Sequence, residues 1–439
     1  MDYLFRTADS LLKANLETFG ATLIEGPKWC GKTTTAKQVA ASLLEMQDPD
    51  KKASYLETIK VKPSLLLAGA TPRLIDEWQV APVLWDAVRV EVDRRTLPGQ
   101  FILTGSNAVK ESTIQHTGTG RIARMKMYPM SLFESKESSG VISLKELFDN
   151  AALDVDGLLS NMTVEELVFA SCRGGWPASL LVTKKQNQLR IATTYVDSVC
   201  DTDISTIEAL DDDTDTPKPR KRDSNTTRAI LRSYARNIST LAKTSNILAD
   251  VRAQEDGLTD KTLNDYLYAL RRLFVIKDVE AWCPAIRSAS AIRSGIKREF
   301  IDPSIAVAAL GMTPEQLLID MKTFGFIFEN MCARDLRAYS LELGGYLNFY
   351  HDRYGLESDF VLHLRDGRYA LIECKLGSSE IAEGAEHLIQ IRDLIREKNK
   401  TEKQVPIREP DLMIVLTGGE MAYARPDGVK VIPLACLRP

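Results

Sequence analysis

Eight residues near the N-terminus have the types and spacing that suit phosphate binding. Gly26-Pro27-Lys28-Trp29-Cys30-Gly31-Lys32-Thr33 reads GxxxxGK[ST] and runs on into Thr34. The glycines let backbone N–H groups close around phosphate oxygens, and Lys32 places a positive charge against the β- and γ-phosphates. The Thr33 hydroxyl is a candidate Mg²⁺ ligand. Trp29 could stack beside a nucleotide or simply pack the loop, and Cys30 reads as an inert thiol inside it.

Further along, Leu74-Ile75-Asp76-Glu77 ends an apolar run in two carboxylates. Asp76 would organise the metal ion and Glu77 would polarise the attacking water. A third run, Phe101-Ile102-Leu103-Thr104-Gly105, ends in Ser106 and Asn107, either of which could orient that water.

A second constellation lies near the C-terminus. Asp359 precedes a short turn, Arg365-Asp366-Gly367-Arg368, and the following run ends Glu373-Cys374-Lys375. Side chains two apart on a strand share a face, so Glu373 and Lys375 project together. The turn should pair the two strands and bring Asp359 to them. Two carboxylates and a lysine suit Mg²⁺-assisted phosphodiester chemistry, with Asp359 and Glu373 as ligands; an ion-pair network fits the same residues. Glu329 on a preceding helix and Gln390 on a following one complete a D…ExK arrangement. It looks like the PD-(D/E)XK nuclease fold.

These groups need elements to position them. The strand-like runs ATLIEG, RLIDEW and FILTGSN alternate with helical patterns, so residues 1–135 read as an α/β layer with a mainly parallel sheet. Residues 136–225 read as a helical segment ending in the charged stretch ALDDDTDTPKPRKRDSN, a candidate mobile loop over 206–225. Residues 226–305 show three helices and a hairpin, the order of a winged helix, and 306–439 return to α/β. Lys261, Arg271 and Arg272 on the third helix, with Arg287, Arg293, Lys297 and Arg298 in the wing, could meet DNA phosphates or form a solvated face of a spacer.

The runs GPKWCGKTT, LIDEWQ, ILTGSN, GR…YPMSLFE, SCRGGWP, REFIDPS and FIFEN together resemble a bacterial and archaeal family of AAA-type ATP-binding proteins with a C-terminal domain of unknown function. That resemblance covers nearly the whole chain. It implies ATP with Mg²⁺ and makes Arg121 or Arg124 the candidate arginine finger. It also implies a C-terminal domain similar to PD-(D/E)XK nucleases, with Asp359, Glu373 and Lys375 as its catalytic set. The expected fold is therefore α/β multidomain: an AAA-type P-loop NTPase sheet, a winged helix and a restriction-endonuclease-like α/β domain. The expected activity is an ATPase; an ATP-regulated nuclease and a DNA- or protein-binding switch are the alternatives.

Composition narrows the classes. The chain has 439 residues, 44% hydrophobic and 26% charged, so it is neither fibrous nor wholly disordered. A net charge of −4 gives no global nucleic-acid footprint. No apolar run approaches a membrane span. Seven cysteines without CxxC spacing and only four histidines fit a reduced cytoplasm better than a disulfide or zinc framework.

Overall fold

The computed structural model describes residues 3–107, 116–210, 218–253, 257–282, 295–401 and 406–439. The chain forms two compact units, the first from residues 1–129, 198–224 and 261–275 and the second from the remainder.

In the first unit α1 (Thr7–Thr18) precedes β1 (Ala21–Glu25), α2 (Lys32–Lys37), β2 (Ser42–Glu45) and α3 (Lys52–Val61). Then come β3 (Arg73–Asp76), α4 (Val83–Arg95), β4 (Phe101–Gly105) and β5 (Ile122–Lys126). The five strands form one sheet of order β2-β3-β4-β1-β5, parallel throughout. Parallel sheets are covered on both faces, which is why these strands are continuous apolar runs with no alternation. Leu23, Ile75, Leu103, Trp78 and Trp85 belong to one buried cluster beneath them. The registers Glu25↔Gly105 and Asp76↔Thr104 align the carboxyl ends of β1, β4 and β3. The Gly26–Thr34 loop, Asp76, Glu77, Ser106 and Asn107 thus emerge at one edge, where open α/β sheets bind ligands.

The middle of the chain supplies β6 (Ile142–Ser143), α5 (Leu144–Asp149), α6 (Val164–Arg173), α7 (Pro177–Leu180) and α8 (Lys185–Asp201). Helices α9 (Ser224–Arg236), α10 (Thr244–Arg252) and α11 (Asp260–Arg272) follow. Next are β7 (Val279–Ala281), β8 (Ile296–Lys297), α12 (Pro303–Leu310), α13 (Pro314–Ile319) and α14 (Met321–Leu343). The chain ends with β9 (Gly345–His351), β10 (Glu357–Leu364), β11 (Tyr369–Lys375), α15 (Ile381–Thr401), β12 (Leu412–Thr417), β13 (Tyr423–Ala424), β14 (Lys430–Pro433) and β15 (Leu437–Arg438).

Eight of these strands form a mixed sheet, β13-β14-β12-β11-β10-β9-β7-β8. Strands β9, β10 and β11 form an antiparallel meander, with Phe360 opposite Ile372 and Gly367 at φ +89° in the turn. β11 and β12 are parallel, so the chain must cross over between them, and α15 does so. Strand β15 pairs with β6 separately.

Three helices followed by a hairpin do occur over 224–297, in the order expected of a winged helix. The hairpin strand β7 also pairs with β9, however, so the wing strands are part of the C-terminal sheet. Lys297 and Arg298, read as candidates for phosphate contacts or for a solvated spacer face, are 5% and 3% exposed. Arg287 and Arg293 lie outside the described residues.

The charged stretch over 206–225 is anchored at both ends. Arg222 is buried and grips both Asp265 carboxylate oxygens at 3.0 and 3.1 Å, together with the carbonyls of Ile204, Ile207 and Glu208. A guanidinium whose donors are all used holds its segment firmly. One member of the basic run is thus a buried clamp within a stretch read as a candidate mobile loop. Residues 211–217 lie outside the described residues.

Several of the runs that carry the family resemblance serve packing in the second unit. Asp302 caps α12 through the Ser304 amide and accepts from the Gly175 amide at 2.9 Å. Arg334, 1% exposed, pairs with Asp302 and Asp335, and Asp335 accepts from the Leu132 amide. A Cβ at Gly175 would stand 2.2 Å from the Met130 carbonyl oxygen, so only glycine fits.

Candidate functional site

The loop after β1 is shaped by its small and strained residues. Gly31 adopts φ +100° and Trp29 φ +67°, left-handed values that turn the chain into α2. A Cβ at Gly26 would lie 2.2 Å from the Met127 carbonyl oxygen, so close approach requires glycine there. Arg6 braces the loop from below, donating to the carbonyls of Cys30 at 2.7 Å and Tyr128 at 2.8 Å. Cys30 is buried, whereas Trp29 is half exposed.

Lys32 is 5% exposed, and its ammonium donates to the carbonyls of Gly26 at 2.9 Å and Pro27 at 2.7 Å. The side chain thus folds back over its own loop. Lys28 pairs with Asp203 at 2.6 Å.

The Thr33 hydroxyl donates to Asp76 Oδ1 at 2.7 Å, and Thr104 donates to the same oxygen at 2.5 Å. Glu77 stands in the left-handed region at φ 54°, a strained position for a non-glycine residue. Its Oε1 accepts from Ser106 Oγ at 2.6 Å, and its Oε2 accepts from Gln79. Strand β4 lies between β1 and β3, which is why Thr104 and Ser106 reach both carboxylates. Ser106 is the water-orienting candidate in direct contact with Glu77. Asn107 Oδ1 is buried without a hydrogen-bond partner among the described residues. Arg121 is exposed and pairs with Asp93 at 2.9 Å, and Arg124 lies over the Trp85 ring at 5.0 Å.

Asp359, Glu373 and Lys375 meet on the C-terminal sheet. Lys375 Nζ is 3.1 Å from Glu373 Oε2, and Asp359 Oδ2 accepts from the Cys374 amide at 2.9 Å. Gln390 does not join them: it is exposed and bonds Glu386 on its own helix. One turn earlier, His387 Nδ1 stands 3.8 Å from Glu373 Oε2, an ion-pair distance longer than a hydrogen bond. The Glu373 carboxylate holds the His387 imidazole above its usual range.

The group that sequence reading placed elsewhere is Lys297, whose ammonium is 2.5 Å from Glu329 Oε1 and 3.1 Å from Asp359 Oδ1. Burial opposes the Asp359 charge, but Lys297 and Lys375 outweigh it and hold the carboxyl below its usual range. Burial and the neighbouring Asp359 push Glu329 and Glu373 upward. As it stands, this donor set does not fit a divalent ion, because both Asp359 oxygens are engaged and an ammonium already bridges Asp359 and Glu329. Among the described residues no three His, Cys, Asp or Glu side chains converge as a metal site.

Behind this cluster, Glu299 is fully buried, accepting from Ser239 at 3.1 Å and from Asn330. Burial pushes its carboxyl from 4.5 up to about 7, against the pull of Arg337 and Lys297. Between those values the native chain binds more protons than the unfolded chain. Glu299 therefore makes stability fall as pH rises through that window, with no effect below it. Denaturant melts at pH 5 and pH 7.5 should show a smaller decline for Glu299→Gln than for the parent chain. Equal declines would remove Glu299 as the source.

Residues 18–136 match a family model described as an AAA domain. The parallel sheet and the Gly26–Thr34 loop lie within that match. These residues form an AAA-type P-loop NTPase domain. Residues 164–316 and 324–437 match two further models, each described as a domain of unknown function (DUF8612 and DUF4143). Two uncharacterized proteins, from Mycobacterium bovis and Mycobacterium tuberculosis, are each 34% identical over 102 residues, 23% of this chain. The match spans 23% of the length of each of these curated relatives. Among solved structures, the Walker-type ATPase PABY2304 of Pyrococcus abyssi aligns with a TM-score of 0.41 and 16% identity, over 70% of this chain and 96% of that one. No helix among the described residues is long and apolar enough to cross a membrane.

Proposed function

We propose that this chain is an Mg²⁺-dependent ATP-binding protein that hydrolyses ATP at the site built by Lys32, Thr33, Asp76 and Glu77. One observation carries the reading: the Thr33 and Thr104 hydroxyls share Asp76 Oδ1, and the Glu77 carboxylate is fixed by Ser106 beside them. Hydroxyl and carboxylate oxygens are the donors a hard, octahedral cation takes. Bound there, Mg²⁺ would neutralise charge on the phosphates. The loop amides would cradle those phosphates, with Lys32 exchanging its two carbonyl partners for phosphate oxygens. Glu77 would accept the proton of the attacking water, and Ser106 would hold that carboxylate in position.

The other assignments extend this reading. Arg121 is the finger candidate for a neighbouring subunit, because its partner Asp93 is exposed and such pairs are weak. The Lys28–Asp203 pair ties the phosphate loop to the segment anchored by Arg222, a route by which nucleotide state could reach partner-binding regions. DNA or a protein partner is assigned to the winged-helix segment and the C-terminal domain. The six described cysteines are all free thiols, which suits a reducing compartment such as the cytoplasm.

Phosphate release from ATP, measured with Mg²⁺ and with excess EDTA, tests the proposal. Turnover should require Mg²⁺. Equal release in EDTA would remove the metal from the reaction.

A further inference from the structure

The C-terminal cluster contains a cation that belongs to the chain itself. Lys297 Nζ donates to Glu329 Oε1, Asp359 Oδ1 and the Asp359 main-chain oxygen at 2.5, 3.1 and 3.2 Å. An ammonium has three hydrogens, and all three are used. The side chain is 7% exposed and lies over the Phe360 ring at 5.2 Å. Its strand is pinned on the C-terminal side: Ser239 donates to the Arg298 carbonyl, Arg298 to Thr240 and Lys277 to the Glu299 carbonyl.

We propose that Lys297 is the resident cation of this nuclease-like cluster, so that the chain carries a metal-independent charge centre where a divalent ion would otherwise bind. A divalent ion would need the Asp359 and Glu329 oxygens at about 2.0–2.6 Å, the cradle that the ammonium already fills. It would also have to sit beside two ammonium groups, the buried Lys297 and the partly exposed Lys375. At these separations and away from water, like charges repel strongly. The two lysines already oppose the three carboxyl groups of Glu329, Asp359 and Glu373. Glu373 Oε1 is buried without a hydrogen-bond partner among the described residues. The inference stands apart from the nucleotide site.

The test is a Mn²⁺ titration of the full chain, read by electron paramagnetic resonance of the free ion. Asp76→Asn serves as the parent so that the nucleotide site does not contribute. The parent and its Lys297→Arg derivative should bind no Mn²⁺ at this cluster. Lys297→Met should gain one site, roughly tenfold or more tighter than anything in the parent, as expected when carboxylates lose an internal counter-ion. Adding Asp359→Asn should abolish the new site. Mn²⁺ binding by the parent that disappears with Asp359→Asn overturns the proposal, as does a folded Lys297→Met chain that gains no site. Should Lys297→Met fail to fold, the parent and Lys297→Arg titrations still decide: a site in either sinks the idea, and none in both supports it.

Discussion

Glu77→Gln should reduce ATP turnover by about 100-fold or more while Mg²⁺-ATP still binds, the loss typical when a positioned general base is removed. The carboxylate is held at both oxygens, by Ser106 and by Gln79, and its amide donates to Thr104 Oγ1 at 3.3 Å. Glutamine keeps the shape and can still accept from Ser106, but it cannot take a proton. Asp76 and Thr33 are untouched, so the metal-organising contacts survive. Single-turnover phosphate release and a fluorescent-nucleotide titration separate the two effects. Unchanged turnover would place the base elsewhere. Negligible turnover in the parent chain, with tight binding in both, would favour a nucleotide-dependent switch over an ATPase.

The phosphate site was legible because its chemistry is written contiguously. GxxxxGK[ST] sits in one loop, and an acidic pair at the end of an apolar run declares itself as a strand end. The sheet order was not legible. Only the placement of β4 between β1 and β3 shows why Thr104 shares Asp76 with Thr33, and no local pattern marks that hydroxyl. Arg6 was missed for the same reason: a single arginine ahead of α1 carries no signal of a loop more than twenty residues away. In the C-terminal sheet the parity of Glu373 and Lys375 and the Gly367 turn predicted the convergence with Asp359 correctly, because both are short-range rules. Lys297 was assigned to an exposed wing. Basic residues near a hairpin resemble phosphate contacts, and only the pairing of β7 with β9 turns that hairpin into the edge of the carboxylate-bearing sheet. Gln390 failed by one helical turn: the residue on α15 that reaches Glu373 is His387.

Lys32→Ala should lose nucleotide binding by roughly 10- to 100-fold, since a charge-assisted contact to phosphate is stronger than a neutral hydrogen bond and the loop has no second lysine in that position. The nucleotide-free chain should also feel the change. Lys32 is buried and satisfies the carbonyls of Gly26 and Pro27, so alanine leaves two acceptors of a tight loop without their donor. That costs about 1 kcal/mol, the net value of an ordinary intramolecular hydrogen bond, once water re-enters the loop. The melting temperature of the first unit should fall by about 2–4 °C without ligand. Mg²⁺-ATP at a concentration that saturates the parent should raise the parent's melting temperature through linkage and raise the variant's by clearly less. The two effects are separable because one is read without nucleotide and the other only with it. A variant that melts like the parent without nucleotide would show that the folded-back lysine contributes nothing to the loop. A variant still stabilised by Mg²⁺-ATP to the parent's extent would remove Lys32 from the phosphate site altogether.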